Sequence, residues 1–244
     1  MADVIERIVR ESVGLKKTTV REVRIKNGQG DDNRMKEKII CVTNRHLCKG
    51  DFQERIRKIA HAGAGLKNIE FGGIMLREKD LEYEDYASLA EETGKICRSE
   101  GVPFIAHSFL GIEMADALHM PLGLLEGQGA DFDGRSIKVI GASCHSVNDA
   151  QLAEKEGCAY ITYGHVFETD CKRGLAPRGI ERLKEVISSV SIPVYAIGGI
   201  SPANHLEAVR AGAAGVCVMS GLMQCDDPEE YFGSFDASFC PSLI

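Results

Sequence analysis

From residue 39 onward, short apolar runs rich in β-branched residues alternate with amphipathic stretches that carry their charges on one side. This alternation is typical of consecutive βα units around a parallel sheet. The predicted strands are residues 39–43, 69–76, 102–106, 116–120, 137–142, 159–163, 194–197 and 215–219. The predicted helices are residues 51–62, 82–100, 147–156, 179–189 and 202–211. Eight strands with helices between most of them favour a single closed (β/α)8 TIM barrel of the α/β class, with a doubly wound open sheet as the alternative.

Local signals mark where several of these helices begin. Asp51, Ser146 and Ser201 are suitable N-caps, and Pro202 suits a first helical position. The pattern is weak between residues 109 and 135, where only a short helix fits before a glycine-rich stretch without helical period.

The first 38 residues differ from the rest of the chain. They contain ten Lys or Arg against seven Asp or Glu, whereas the whole chain has a net charge of −7. We interpret residues 1–38 as an N-terminal extension with a helix over 4–13 and a strand over 18–25, and we favour a solvated tail or extra flank over a binding arm. The barrel domain is residues 39–244, in which the sequence after residue 226 supports only a last helix. Its acidic body argues against nucleic acid as a partner.

Composition excludes several further classes of protein. A chain that is 44% hydrophobic and 27% charged is an ordinary soluble globular protein. No apolar run approaches the roughly 20 residues of a membrane span, and no signal peptide opens the chain, so we expect a cytoplasmic protein without a membrane partner. The nine cysteines form no CxxC pair and several lie in apolar runs, which favours reduced thiols over disulfides or zinc.

Polar and glycine residues follow seven of the eight predicted strands. In (β/α)8 barrels the carboxyl ends of the strands and the loops after them form the site. The positions concerned are Asn44 and Arg45, residues 77–79, His107 and Ser108, residues 143–145, Gly164 and His165, Gly198 and Gly199, and Ser220 and Gly221. One such ending would mean little, but seven predict a functional site at this face.

Two glycine-containing loops indicate a phosphate site. Gly198 and Gly199 follow the seventh predicted strand, and Ser220 and Gly221 follow the eighth. Glycine lets backbone N–H groups approach an anion closely, and a helix start adds its positive end. Phosphate sites of such barrels commonly lie there. We therefore favour phosphate binding over tight turning alone.

Two cations close the second predicted strand. Alternation along the strand points Arg77 and Lys79 the same way, into the mouth of the barrel, where they would suit a phosphate or a carboxylate. Glu78 and Asp80 could equally make this a solvated charge cluster, and spacing alone leaves both interpretations open.

His165 stands two residues past the sixth predicted strand, in a loop of mixed charge. Such a histidine suits acid–base work near neutral pH, although a lone histidine is often only structural. His107 and His145 also occupy rim positions, which raises the competing idea of a three-histidine metal site. No HxH or HxxxH spacing supports a metal there.

Taken in order, these runs resemble the thiazole tautomerase branch of the thiamine-phosphate synthase family. The runs that carry the resemblance are residues 41–45 (CVTNR), 76–80 (LREKD), 140–146 (IGASCHS), 163–175 (YGHVFETDCKRGL), 192–200 (IPVYAIGGI) and 214–221 (AGVCVMSG). The resemblance covers roughly residues 39–225 and is densest over 137–222. Each run is moderately specific, whereas their order and spacing together are strongly so.

The resemblance implies a barrel that binds a thiazole phosphate, and two branches compete. The synthase branch joins that thiazole to a pyrimidine diphosphate, with magnesium held by an Asp of an Asn-Asp pair after strand three and by another Asp after strand four. This chain has His107 and Ser108 at the first place and residues 121–124 (PLGL) at the second, so both carboxylates are absent. The synthases also usually have Pro where this chain has His165. Because magnesium prefers hard oxygen ligands, the resemblance favours the tautomerase branch.

For that branch the resemblance implies a carboxylated dihydrothiazole phosphate with an exocyclic double bond as substrate. Moving one proton gives the aromatic thiazole phosphate carboxylate, and His165 is then the catalytic acid–base residue. The predicted substrate-binding residues are Arg77, Lys79, Ser143, His145 and Lys172, and the predicted phosphate-binding residues are Gly198, Gly199, Met219 and Ser220. No cofactor or metal is expected, since magnesium belongs only to the synthase alternative.

A third interpretation is a barrel that binds thiazole phosphate without turnover and acts as a regulator. The basic extension and the irregular residues 109–135 keep it open. In every case the expected partner is a small-molecule thiazole phosphate, and pairing of two barrels into a homodimer is compatible with the sequence.

Overall fold

The computed structural model describes residues 37–125 and 139–238. Eight parallel strands pair in sequence order, and the last pairs with the first, so the sheet is a closed barrel. The strands are β1 (Lys38–Val42), β2 (Glu70–Leu76), β3 (Phe104–His107), β4 (Ala117–Pro121), β5 (Ile140–Cys144), β6 (Tyr160–Gly164), β7 (Val194–Ile197) and β8 (Gly215–Val218). The predicted (β/α)8 barrel is confirmed, and the open sheet is not what forms.

Helices connect most of the strands on the outside of the barrel. They are α1 (Phe52–Ala64), α2 (Tyr83–Glu100), α3 (Val147–Lys155), α4 (Gly179–Ser189), α5 (His205–Arg210), α6 (Ser220–Gln224) and α7 (Pro228–Ser238). Single 3-10 turns occur at Arg45–Leu47, Leu122–Leu124 and Asp170–Lys172. No helix in residues 37–125 or 139–238 is both long and apolar enough to cross a membrane.

Alternation along each strand divides the buried residues into two sets. In β1, Ile39 and Cys41 belong to the large cluster between sheet and helices, whereas Ile40 and Val42 belong to a smaller one. The smaller cluster fills the barrel interior and consists of Ile40, Val42, Met75, Ile105, Ala117, Val139, Tyr160, Tyr195 and Cys217. Successive side chains of a strand point to opposite faces, which is why β-branched runs buried on both sides read as continuous apolar segments.

Two of the three predicted N-caps are confirmed. The Asp51 and Ser146 side chains accept hydrogen bonds from backbone N–H groups three residues on, at 2.8 and 3.1 Å. The prediction for Ser201 and Pro202 is wrong, because residues 202–204 form a turn and helix α5 begins at His205. Asn204 explains the delay: its side chain accepts from the Ser201 N–H at 2.8 Å and donates to the Gly199 carbonyl, which closes the loop before the helix starts.

The weakly patterned stretches behave differently from one another. Residues 109–115 contain a turn and no helix, and the last helix occurs as α7. Helix α6 has no counterpart in the prediction. The predicted helix over 4–13, the predicted strand over 18–25 and the start of the predicted fifth strand lie outside the described residues.

Candidate active site

The carboxyl end of β2 separates its charged residues onto two sides. Glu78 is 3% exposed and accepts hydrogen bonds from the Thr43 hydroxyl at 2.6 Å and from the Arg45 N–H at 3.0 Å. The Arg45 guanidinium also bonds to Glu78 and to Asp80. The two carboxylates of the predicted charge cluster therefore pair with the end of β1, not with the neighbouring Arg77.

Arg77 and Lys79 follow the inward alternation of β2. Burial lowers the pKa of the Arg77 guanidinium, and burial together with the charges of Arg77 and Lys172 lowers the pKa of Lys79. Neither cation forms an ion pair with a carboxylate in the described part of the chain. Glu78 acts electrostatically on Arg77 but is ion-paired with Arg45. Two cations that repel one another, with no ion-paired carboxylate among the described residues, form a site that favours an incoming anion.

The loop after β6 approaches these cations from across the mouth. Lys172 lies in the 3-10 turn of that loop and is exposed, yet its charge acts on Lys79. Cys171 beside it acts electrostatically on Arg77. The structure thus brings together three of the predicted substrate-binding residues, Arg77, Lys79 and Lys172.

Two histidines lie below the cations, on neighbouring strands. His107 and His119 are paired in register, and their ring centroids are 5.8 Å apart. Burial, then the charges of Arg77 and Lys79, lower the pKa of His107 to about 3. Burial, then His107 and Arg77, lower the pKa of His119 well below its ordinary value. Both imidazoles are therefore neutral at pH 7 and act as hydrogen-bonding groups rather than cations.

Ser143 and His145, both predicted to bind substrate, are placed differently. The Ser143 hydroxyl lies 2.9 Å from Nε2 of His119, inside the mouth. His145 is exposed, with Nδ1 3.0 Å from the Gly164 carbonyl oxygen. It lines a pocket of about 600 Å³ together with residues of α3 and α4. The structure therefore does not bring His145 into the network around His119.

His165 follows the last residue of β6 and is half-buried. Its Nε2 lies 3.3 Å from the carbonyl oxygen of Leu175, and its own carbonyl accepts from the Arg178 N–H at 2.9 Å. The Arg178 side chain also donates to the Gly164 carbonyl at 2.9 Å. The loop after β6 is thus tied to its own strand on both sides of His165.

The glycines after β7 are required by close packing against that loop. Gly198 and Gly199 have φ of +93° and +70°, which favours glycine. A Cβ at Gly198 would lie 2.3 Å from Cβ of His165, and one at Gly199 would lie 2.3 Å from the Glu168 carbonyl oxygen. His165 therefore contacts the predicted phosphate loop directly.

Backbone donors are available where the two glycine loops meet. Among the described residues, the N–H groups of Gly199, Ile200 and Ser220 donate to no backbone or side-chain acceptor, whereas that of Ser201 is taken by Asn204. Met219 precedes Ser220, the first residue of α6. Gly199, Ser220 and residues 168–177 line a pocket of about 1060 Å³. These positions suit an anion such as phosphate.

The described residues do not fit a magnesium ion. Where the resemblance places the two carboxylates, the chain has His107 and Ser108 at the end of β3 and Pro121 at the end of β4. Magnesium prefers oxygen ligands in an octahedron, and these residues offer no carboxylate. No group of three or more His, Cys, Asp or Glu within the two described ranges could hold a metal, so the three-histidine site is not assembled there.

The comparisons with known proteins agree on one family. Residues 39–222 match the family model described as "Thiamine monophosphate synthase". The thiamine-phosphate synthase of Fusobacterium nucleatum is 31% identical over 194 residues, which cover 78% of this chain and 91% of that protein. The thiamine-phosphate synthase of Chlorobium phaeobacteroides is 34% identical over 161 residues, covering 64% and 78%.

Solved structures share the barrel fold, and one at 25% identity is a thiamine phosphate pyrophosphorylase. A thiamine phosphate pyrophosphorylase from Pyrococcus furiosus superposes with a TM-score of 0.70 at 25% identity, covering 86% of this chain and 98% of that one. A geranylgeranylglyceryl phosphate synthase from Thermoplasma acidophilum, at 17% identity and a TM-score of 0.62, shows the likeness of fold alone. The family match spans most of the chain and includes both glycine loops and the β6 loop. This chain is therefore a member of the thiamine monophosphate synthase family, enzymes of thiamine biosynthesis.

Proposed function

We propose that this enzyme is a thiazole tautomerase, which isomerises a carboxylated dihydrothiazole phosphate to the aromatic thiazole phosphate carboxylate. The observation that carries the proposal is a pair of buried, neutral imidazoles: His107 stands at the end of β3, where a synthase of this family would hold magnesium, and His119 pairs with it from within β4. A site without carboxylates there suits chemistry that needs no metal. The isomerisation needs only an acid–base group and a place for two anions.

The two anionic ends of such a substrate match two parts of the mouth. The phosphate would accept hydrogen bonds from the N–H groups of the loops after β7 and β8. The N–H groups of Gly199 and Ser220 in these loops have no acceptor among the described residues. The carboxylate would lie toward Arg77 and Lys79, whose pKa values are lowered by burial and, for Lys79, also by the charges of Arg77 and Lys172. Binding the two ends orients the ring between them, and such orientation by itself accelerates the reaction.

His165 would carry the proton. Its imidazole would take a proton from the ring carbon and return it to the exocyclic carbon, so the double bond moves into the ring and no proton is gained or lost overall. The close approach of Gly198 to Cβ of His165 supports this role, because it sets the residue beside the proposed phosphate loop. One positioned acid–base group contributes about 10²–10⁴-fold, which is adequate because aromatisation already drives the reaction.

Thiamine-phosphate synthase is the second candidate. The curated relatives reported above bear that name, and so does the activity in the name of the Pyrococcus furiosus structure. That reaction would require magnesium, for which the ends of β3 and β4 offer no carboxylate. We therefore place it second.

One experiment separates the two. The wild type, His165→Ala and a control, His61→Ala on the outer surface of α1, are incubated with the dihydrothiazole carboxylate phosphate with and without Mg²⁺, and the aromatic product is followed by absorbance. We expect metal-independent conversion that His165→Ala loses by at least about 100-fold and that the control retains. Magnesium-dependent release of pyrophosphate from the pyrimidine diphosphate would establish the synthase instead. Tight binding of the aromatic product without either reaction would indicate a regulator.

A further inference from the structure

The barrel interior beneath the mouth contains a hydrogen-bonded chain of polar side chains. His119 is 1% exposed, with Nδ1 3.2 Å from the Tyr160 hydroxyl and Nε2 2.9 Å from the Ser143 hydroxyl. The Thr162 hydroxyl lies 3.3 Å from the same Nε2. The three partners stand on β5 and β6, so one imidazole of β4 joins three consecutive strands. The proposed proton transfer does not use this network of hydrogen bonds.

The direction of these hydrogen bonds follows from the protonation of their members. Burial keeps His119 neutral, so one ring nitrogen carries a hydrogen and the other accepts. Burial also raises the pKa of Tyr160 well above its ordinary value, so its hydroxyl keeps its proton. His119 Nδ1 is the one hydrogen-bond partner of that hydroxyl within residues 37–125 and 139–238. Since a buried donor is costly to leave unused, Tyr160 donates to Nδ1, and Nε2 carries the hydrogen.

This tautomer fixes the Ser143 hydroxyl. Nε2–H donates to the Ser143 oxygen, with the Thr162 oxygen as a more distant second acceptor. The hydroxyl hydrogen of Ser143 is therefore not used within this network, and it is available to donate to a ligand in the mouth. Ser143 is the penultimate residue of β5, whereas Tyr160 is the first residue of β6, so the Ser143 end of the network lies toward the mouth. The charge of Arg77 also acts on His119.

We propose that Tyr160 and His119 are positioning residues that hold Ser143 as a hydrogen-bond donor toward the carboxylate of the bound thiazole. The assignment rests on the proposed function for the identity of that ligand. With the opposite tautomer, Ser143 would donate to His119 and present its lone pairs to the mouth, where they would repel a carboxylate. This relay from Tyr160 through His119 to Ser143 makes the site selective for a hydrogen-bond acceptor at that end of the ligand.

The first test reads the tautomer directly and needs no substrate. In protein with ¹⁵N-labelled histidine, NMR should show a protonated Nε2 and an unprotonated Nδ1 for His119. Tyr160→Phe should convert this signature to a mixture or to the opposite tautomer. Tyr195→Phe is the matched control. It removes a neighbouring buried hydroxyl, and its ring centroid lies 5.6 Å from that of Tyr160, but within the described part of the chain it forms no hydrogen bond with His119. A protonated Nδ1 in the wild type would overturn the relay.

The second test asks whether the relay acts through Ser143. Calorimetry measures the affinity for the aromatic thiazole phosphate carboxylate in the wild type, Tyr160→Phe, Ser143→Ala and the double variant. Each single change should weaken binding about tenfold, and the double variant should bind no more weakly than Ser143→Ala alone. The same ligand without its carboxylate should respond far less to either change.

The outcomes separate this inference from the proposed function. Additive losses, equal losses with the ligand that lacks a carboxylate, or no measurable binding of the carboxylated ligand would overturn the role of Ser143. Non-additive losses in a protein that fails to isomerise the dihydrothiazole would uphold the relay and overturn the tautomerase. Additive losses in an active tautomerase would do the reverse.

Discussion

The two halves of the barrel mouth recognise anions by different means. The half formed by the loops after β7 and β8, which we call the backbone half, offers N–H groups of Gly199 and Ser220. The half formed by β2 to β5, the side-chain half, offers Arg77, the buried His107 and the hydrogen-bonded pair of His119 and Ser143. A backbone donor is kept by almost any sequence that folds the same way, whereas a side-chain group changes with one substitution. The side-chain half is therefore where a change of chemistry within one family would be found.

This difference explains why the relatives and the site favour different activities. The glycine loops lie inside the family match. The β3 and β4 ends, where the two activities differ in their need for carboxylates, belong to the side-chain half. The predictions below test each half, from the largest expected effect to the smallest.

Gly198→Ala should damage the backbone half most. A Cβ there would lie 2.3 Å from Cβ of His165 at a φ of +93°, so the β6 and β7 loops must separate. A misplacement of about 1 Å can cost about 100-fold in rate, and we expect kcat/KM for isomerisation to fall by at least that factor.

Gly157→Ala is the matched control for this change. Gly157 has a φ of +84°, but a Cβ there would meet no atom within 4 Å. It should lose about 1–2 kcal/mol of unfolding free energy from the left-handed backbone alone and keep its activity. Equal activity of Gly198→Ala and Gly157→Ala would show that the contact with His165 is unimportant.

Arg77→Met should show what the side-chain half contributes to binding. A hydrogen bond to a charged group is worth about 1.5–3 kcal/mol, so KM should rise about tenfold to hundredfold while kcat changes less. Arg77→Lys should recover only part of this, because the planar fork is lost. Steady-state kinetics measure both, with Lys95→Met on the outer face of α2 as the control. An unchanged KM would place the carboxylate elsewhere.

The sequence predicted the barrel and much of the rim because both depend on local pattern. Apolar runs with β-branched residues marked the strands, and period-two alternation correctly separated Arg77 and Lys79 from Glu78. What alternation could not show was the partner of Glu78. Arg45 stands 33 residues earlier and reaches it only because β1 and β2 pair in this register.

The relay could not have been predicted for the same reason. His119 stands in an apolar strand, and its partners Ser143 and Tyr160 are 24 and 41 residues away. His145 is a second case in which the strand bounds differ. The predicted fifth strand ends at residue 142, whereas β5 continues to Cys144, and His145 lines a pocket beside α3 and α4.

Glu78→Gln should lower the free energy of unfolding more than Asp80→Asn does, because Glu78 supports the side-chain half from within. Glu78 is buried and accepts from Thr43 and Arg45, so loss of its charge should reduce the unfolding free energy by about 1–3 kcal/mol. Asp80→Asn removes an exposed carboxylate from the same Arg45 and should cost clearly less. Urea unfolding measures both. Equal losses would show that burial of Glu78 is not what matters.

Acidification should lower the free energy of unfolding, because the side-chain half contains two buried, neutral histidines. His107 has a folded pKa of about 3, lowered by burial and by Arg77 and Lys79, while in the unfolded chain the value is near the ordinary 6.5. Between these values the unfolded chain binds more protons than the folded one, so stability is complete above about pH 6.5 and falls as the pH decreases toward 3. The expected slope is about 1 kcal/mol per pH unit for each such imidazole, and His119 adds its own contribution.

Urea midpoints measured from pH 7 to pH 5 should therefore fall less in His107→Asn than in the wild type, whereas the exposed His61→Asn should follow the wild type. Parallel curves for wild type and His107→Asn would mean that His107 is not held neutral in the folded protein.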